Sequence, residues 1–251
     1  MPRLYLFAEG QTEQTFADTL LKPYLAGFGV YLHSPVLIAH SRKKGKVHRG
    51  GGRKYLPMRN DIRRFLSQEK DRAVFFTTMI DLYAIPNDFP GLDEAEKLRQ
   101  MPSNRIDSLE RAFASDIGDI RFVPYLQLHE YEAYLFSDVN WFRYFYDRHE
   151  KQIAALKAIA DAYGTPELIN DCPQTAPSKR IIAEIPDYEG AKAAVGPQIA
   201  ELIGLTVIRQ KCPHFAAWLT KLEQLGEGLT AKQAPLPPSP ETPHPQSSTG
   251  A

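Results

Sequence analysis

The chain reads as an α/β protein with a mainly parallel central sheet flanked by helices and a helical C-terminal part. Three observations predict this. Short apolar, β-branched runs alternate with stretches of helical spacing over roughly the first 140 residues, the pattern of strand–helix–strand crossovers. The strongest run, Ala73 to Ile80, is apolar or β-branched throughout, as expected for a central strand covered on both faces. Beyond residue 150 only helix-like spacing remains.

Leu4 to Ala8 is a short apolar run stopped by Glu9-Gly10 and reads as a buried first strand. Gln11 to Gly27 follows with Phe16, Leu20, Leu21 and Leu25 at helical spacing, a helix that ends at its glycine. Val30 to Leu32 and Val36 to Ile38 are β-rich, and Pro57 sits in the first turn of a helix running to about Ser67. After Ala73–Ile80 a proline-broken loop leads to a helix from Ser103, with Ile106, Leu109, Ala112 and Phe113 on one face. Phe122 to Leu128 reads as a further strand and Tyr131 to Tyr146 as an aromatic helical stretch. Ala155, Ile159 and Ala162, then Ile199, Leu202 and Ile203, mark helices in the C-terminal part. The expected organisation is an α/β core over residues 1–148, a helical cap or extension of the same domain over 149–225, and a disordered tail over 226–251. Six prolines among the last 17 residues suit an extended tail that builds no core.

Composition narrows the function classes. The 30 basic and 30 acidic residues cancel, so any nucleic-acid contact must be local rather than a matter of overall field. Cys172 and Cys212 are far apart and outside any CxxC pair, which argues against a disulfide framework or a structural zinc. The first apolar run is too short for a signal peptide, and no stretch approaches the roughly 20 apolar residues of a membrane span. A cytoplasmic protein with no membrane partner is expected.

Acidic residues fall just past the ends of three expected strands, where open parallel sheets bind their ligands. Glu9 ends the first strand, and Glu13 follows four residues later in the first turn of a helix; an acid there also simply favours a helix N-terminus. Asp81 directly follows the central strand, with Tyr83 beside it. Oxygen ligands from two neighbouring strands suit Mg²⁺ or Mn²⁺. In His129-Glu130-Tyr131-Glu132-Ala133 the second histidine of HExxH is missing, so zinc-peptidase chemistry is disfavoured. Glu130 is then a third metal ligand or a general base, or a helix-start acid. Arg42, Lys43, Lys44, Lys46, His48, Arg49, Arg53 and Lys54 lie in 13 residues without an acid, interleaved with glycines. That is the chain's strongest charge asymmetry and a phosphate clamp in outline, or else a solvated basic loop. Lys179 and Arg180, in Pro177-Ser178-Lys179-Arg180, form a second basic pair that would meet charge developing on phosphate.

Taken together, Glu9-Gly10-Gln11-Thr12-Glu13, Asp81-Leu82-Tyr83, His129-Glu130-Tyr131-Glu132-Ala133, Pro177-Ser178-Lys179-Arg180-Ile181 and Cys212-Pro213-His214-Phe215 resemble the bacterial domain-of-unknown-function 4276 family, over residues 3 to 222. That family in turn looks like the TOPRIM fold of topoisomerases, primases and overcoming-lysogenization-defect nucleases. There, one Glu ends the first strand and an Asp-x-Asp ends a later one. Glu9 matches the first position and Asp81 the second, while Tyr83 stands where the second Asp would be, so Glu13, Glu130 or Glu132 must complete the site. The resemblance implies a Mg²⁺-dependent nuclease acting on DNA or RNA, in a family whose relatives often serve in phage defence beside a separate ATPase. This chain carries no GxxxxGK[ST] loop of its own. A non-catalytic sensor or adaptor that binds such an ATPase is the alternative, and Tyr83 is the residue that favours it.

Overall fold

The computed structural model describes residues 1–38, 54–169 and 173–225. Its elements follow the chain as β1 (Arg3–Ala8), α1 (Gln11–Phe16), α2 (Lys22–Ala26), β2 (Tyr31–Leu32), β3 (Val36–Leu37), α3 (Tyr55–Gln68), β4 (Val74–Asp81), α4 (Leu92–Glu96), α5 (Pro102–Ile117), β5 (Phe122–Val123) and β6 (Leu126–Gln127). Five helices complete it: α6 (Glu150–Asp161), α7 (Pro177–Glu184), α8 (Tyr188–Ile203), α9 (Leu205–Lys211) and α10 (Pro213–Glu223). No described helix is long and apolar enough to cross a membrane.

All described strand pairs are parallel. β1 and β4 form the centre, in register from Arg3 opposite Val74 to Ala8 opposite Met79. On the outer side of β1 lie β2 and β3; on the outer side of β4 lie β5 and β6. The fold class expected from the alternating pattern is therefore observed. One difference lies in the last strand, which is two short bridges: Pro124 sits between them, and a proline cannot donate to a ladder.

Strand alternation distributes the core. From β1, Leu4, Leu6 and Ala8 enter one apolar cluster and Phe7 the other; from β4, Met79 enters the first and Val74, Phe76 and Ile80 the second. The second cluster is closed by α3 and α5 through Ile62, Leu66, Leu109 and Phe113. The first holds Phe16, Tyr131, Tyr134, Ile199, Phe215 and Trp218, so residues before and after position 149 share one core. By its parity in β4, Asp81 belongs with Met79 on the side of α1 and α8, which pack together.

Local structure departs from the expected pattern in several places, among them a short helix, α4, inside the expected proline-broken loop. The first helix is α1 and α2 joined by a π-helical turn, Ala17–Leu21, an extra residue per turn that keeps Phe16, Ala17, Leu20 and Leu21 all buried. The aromatic stretch after β6 is 3₁₀-helical, Tyr131–Ser137 and Val139–Tyr144. All seven side chains of the first piece are buried, which no amphipathic α-helical period would give. In α6 the buried residues are Ile153 and Leu156, offset from the expected face. Leu202 at the end of α8 is exposed, whereas Ile199 and Ile203 are buried.

The two halves are fastened by a polar link inside the core. The indole Nε1 of Trp218 donates to Thr77 Oγ1 at 2.9 Å, and that hydroxyl donates to the Val123 carbonyl at 2.6 Å. Trp218 also stacks on Tyr125, centroids 4.3 Å apart. Trp218→Ala should cost about 3–5 kcal/mol of unfolding free energy. Thr77→Val, which strands a buried indole N–H, should cost about 1–3 kcal/mol. Urea midpoints of the two variants read both losses.

Candidate metal centre

The parallel register brings three chain exits to one edge. Ala8 lies opposite Met79, and Asp81 lies opposite Gln127, so Glu9, Asp81 and the residues after β6 leave the sheet side by side. The Glu9 carboxylate accepts the Asp81 backbone N–H at 3.0 Å. Asp81 in turn accepts the Tyr131 N–H at 2.9 Å, tying the second exit to the third. Glu13 folds back to accept the Gly10 N–H at 2.9 Å, half of a capping box that starts α1.

The third exit is bent into place by its backbone. His129 has φ of 68°, the left-handed region that non-glycine residues rarely adopt, and such conformations gather at functional sites. The bend carries Glu130 and Glu132 back toward the exits. Glu130 accepts the Ser178 N–H at the start of α7, 2.9 Å away. Glu132, buried, meets the Lys192 ammonium of α8 at 3.5 Å.

Charge crowding shows in the acids themselves. Burial first, then the charge of Glu9, push Glu13 up to about 7. Asp81 is raised well above the usual carboxylate range by burial and by Glu9, Glu13, Glu132 and Glu130. Glu132 is raised by burial and by Glu130, against the pull of Lys192. Desolvated like charges of this kind favour a proton or a cation.

The Tyr83 ring stacks on His129 with centroids 5.5 Å apart. Lys179 is exposed on α7. Arg180 is turned to the Thr175 carbonyl and the Tyr163 hydroxyl and lies over the Tyr163 ring, so its guanidinium is engaged away from the acids. Lys43, Lys44, Lys46, Arg49 and Arg53 lie outside the described residues. The described neighbours of that segment are Ile38, whose N–H donates to the Ala8 carbonyl, and Lys54, paired with Asp88 at 4.0 Å.

Sequence reasoning passed over Lys192, a lone lysine in the small-residue run of α8. Its signal was the i, i+4, i+8 series Tyr188, Lys192, Gly196 on one helix face. It also passed over a second group. Asp107, Glu110 and His214 bring ligand atoms within 4.8 Å of one another and could hold a metal ion. Asp107 and Glu110 also line a cavity of about 650 Å³ with Arg111 and Lys221. Within this group Glu110 Oε1 accepts the Leu126 N–H at 2.9 Å and lies 3.0 Å from His214 Nε2, so the same atoms also tie α5 to β6 and α10. Among the described residues no three of the carboxylates around Asp81 meet that 4.8 Å spacing; Glu9, Glu13 and Glu130 each accept a backbone N–H.

A mainly parallel α/β sheet with carboxylates gathered at its C-terminal edge defines the class of protein: an α/β domain with an acidic centre at that edge. The chain belongs to the family described as domain of unknown function (DUF4276), whose model matches residues 8–223. That span contains every residue of both groups. No curated protein and no solved structure matches the chain.

A raised carboxyl stabilises the fold only while it stays protonated. Between the ordinary value of 4.5 and about 7 the folded chain holds a proton at Glu13 that the unfolded chain has lost, so stability falls as pH rises through that window. Glu13→Gln keeps the acceptor for Gly10 and should flatten that part of the curve, read by chemical denaturation across a pH series.

Proposed function

We propose that the protein is a divalent-metal-dependent nuclease that hydrolyses phosphodiesters of DNA or RNA at the edge formed by Glu9 and Asp81. The observation that carries this reading is the convergence of Glu9, Glu13, Asp81, Glu130 and Glu132 from three chain exits, against one paired ammonium, Lys192. All the donors are oxygen, and their desolvation is relieved by a cation, which fits Mg²⁺ or Mn²⁺. Glu9 and Asp81 would hold it, with Glu13 and Glu130 completing the set. When bound, such an ion supplies Lewis acidity toward a phosphoryl oxygen and lowers the pKa of water.

The chain's own residues supply the rest. Glu130, held by the Ser178 N–H, is the acceptor for the proton of an attacking water. Lys179, exposed one residue further along α7, faces the solvent side from which a phosphate arrives, while Arg180 steadies α7 through Tyr163. The basic segment with Lys43, Lys44, Lys46, Arg49 and Arg53 binds the nucleic-acid backbone. Tyr83, stacked on His129, offers a ring and a hydroxyl for orienting substrate. The TOPRIM resemblance and a role in anti-phage defence with a separate ATPase, in the cytoplasm, belong to the same proposal.

Tyr83 in place of a second acid also supports the other reading, a sensor or adaptor subunit that binds an ATPase and cuts nothing. Assays of the purified chain with DNA and tRNA in Mg²⁺ or Mn²⁺ separate the two. A nuclease loses all cleavage in Asp81→Ala and only a modest part in Tyr83→Phe, with circular dichroism unchanged; cleavage undiminished in Asp81→Ala overturns the site. An adaptor shows no cleavage in any form. Neutralising Lys43, Lys44 and Lys46 together should weaken nucleic-acid binding and lower the salt slope by about 0.7–0.9 for each phosphate no longer neutralised, measured by anisotropy across a salt series.

A further inference from the structure

The core beside the acidic centre contains two phenols whose hydroxyls make no hydrogen bond to the described residues. Tyr131 and Tyr188 are buried, and neither hydroxyl has a hydrogen-bond partner among the described residues. Phenylalanine would fill nearly the same volume without stranding an O–H, so packing alone does not explain either one. Both hydroxyls lie in the field of the acidic centre. Burial, then Glu13, Glu132 and Asp81, raise Tyr131; burial, then Glu132, Tyr131, Tyr146 and Glu130, raise Tyr188.

Helix α8 aims this wall. Lys192, one turn after Tyr188, reaches Glu132, so the face that bears Tyr188 is turned to the centre. One turn further on, Gly196 leaves space for the phenols. A Cβ there would stand 3.0 Å from the Tyr188 hydroxyl, 3.5 Å from the Tyr131 ring and 3.8 Å from Thr12 of α1.

We infer that Tyr131 and Tyr188 are positioning residues of the acidic centre, whose hydroxyls donate to Glu13 when it turns to a divalent cation and to Glu132 beside it. The inference rests on the cation-binding part of the function proposed above and concerns the step before any chemistry. Ligands without outer donors are poorly oriented, and losing one such donor typically costs about 10–100-fold in metal affinity. Tyr146 provides an internal control. Its hydroxyl is also buried and unpartnered among the described residues, yet the charge that bears on it is Asp187.

The test is calorimetric titration of the full chain with Mn²⁺, for wild type, Glu9→Gln, Tyr131→Phe, Tyr188→Phe and Tyr146→Phe, with melting curves recorded in chelator. The component read is the one that Glu9→Gln removes, which separates this centre from Asp107, Glu110 and His214. Tyr131→Phe and Tyr188→Phe should each weaken that component by about 10–100-fold while their melting temperatures stay level or rise; Tyr146→Phe should leave the component unchanged. Wild-type affinity in both phenylalanine variants overturns the inference and leaves the cation site standing. A fall in melting temperature in chelator also overturns it, since the hydroxyls would then serve the fold. If Glu9→Gln removes no component, the cation site itself fails and the inference falls with it.

Discussion

The structure depends on one pairing, the six-residue parallel register of β1 against β4. Because Ala8 lies opposite Met79, the chain leaves β1 two residues short of the end of β4, and the Glu9 carboxylate meets the Asp81 N–H. A slip of one residue would exchange the faces of every side chain in the strand. It would put Asp81 among Phe76 and Ile80 rather than toward α1 and α8. The core on both faces therefore holds the register, and the register holds the acids.

Those acids are a cost carried by the fold. Glu13, Asp81 and Glu132 are each pushed above their ordinary range, with burial the leading cause, and Lys192 partly offsets the shift of Glu132. Beside them the backbone is bent at His129 into the left-handed region, which few non-glycine residues adopt. A left-handed backbone residue, desolvated charge and unpartnered hydroxyls thus gather in one place. Glu167, also raised by burial, accepts two N–H groups, those of His214 and Phe215 at the start of α10.

The C-terminal helices are part of this arrangement. Trp218 of α10 reaches Thr77 in the middle of β4, and α8 brings Tyr188, Lys192 and Gly196 to the acids that the sheet presents. The wall opposite Glu9 and Asp81 therefore comes from sequence more than 100 residues later. Glu110 and His214, separated by 104 residues of chain yet 3.0 Å apart in space, show the same dependence of α5 and β6 on α10.

By itself the sequence determined the fold class and the edge at which to look. Ala73–Ile80 is apolar or β-branched throughout because a central parallel strand is covered on both faces. Glu9 and Asp81 are recognisable because a carboxylate at such a strand end has few reasons to be there. These are local signals, carried by a period of two or 3.6 and by a residue's place just after it. The tertiary structure alone decided which acids are tied to which N–H, that Arg180 turns to Tyr163, that the 131–137 stretch is 3₁₀-helical, and that Lys192, Tyr188 and the pair Glu110–His214 belong to polar centres. Each depends on the meeting of residues far apart in the chain, and no spacing within one segment records which distant segment will lie beside it.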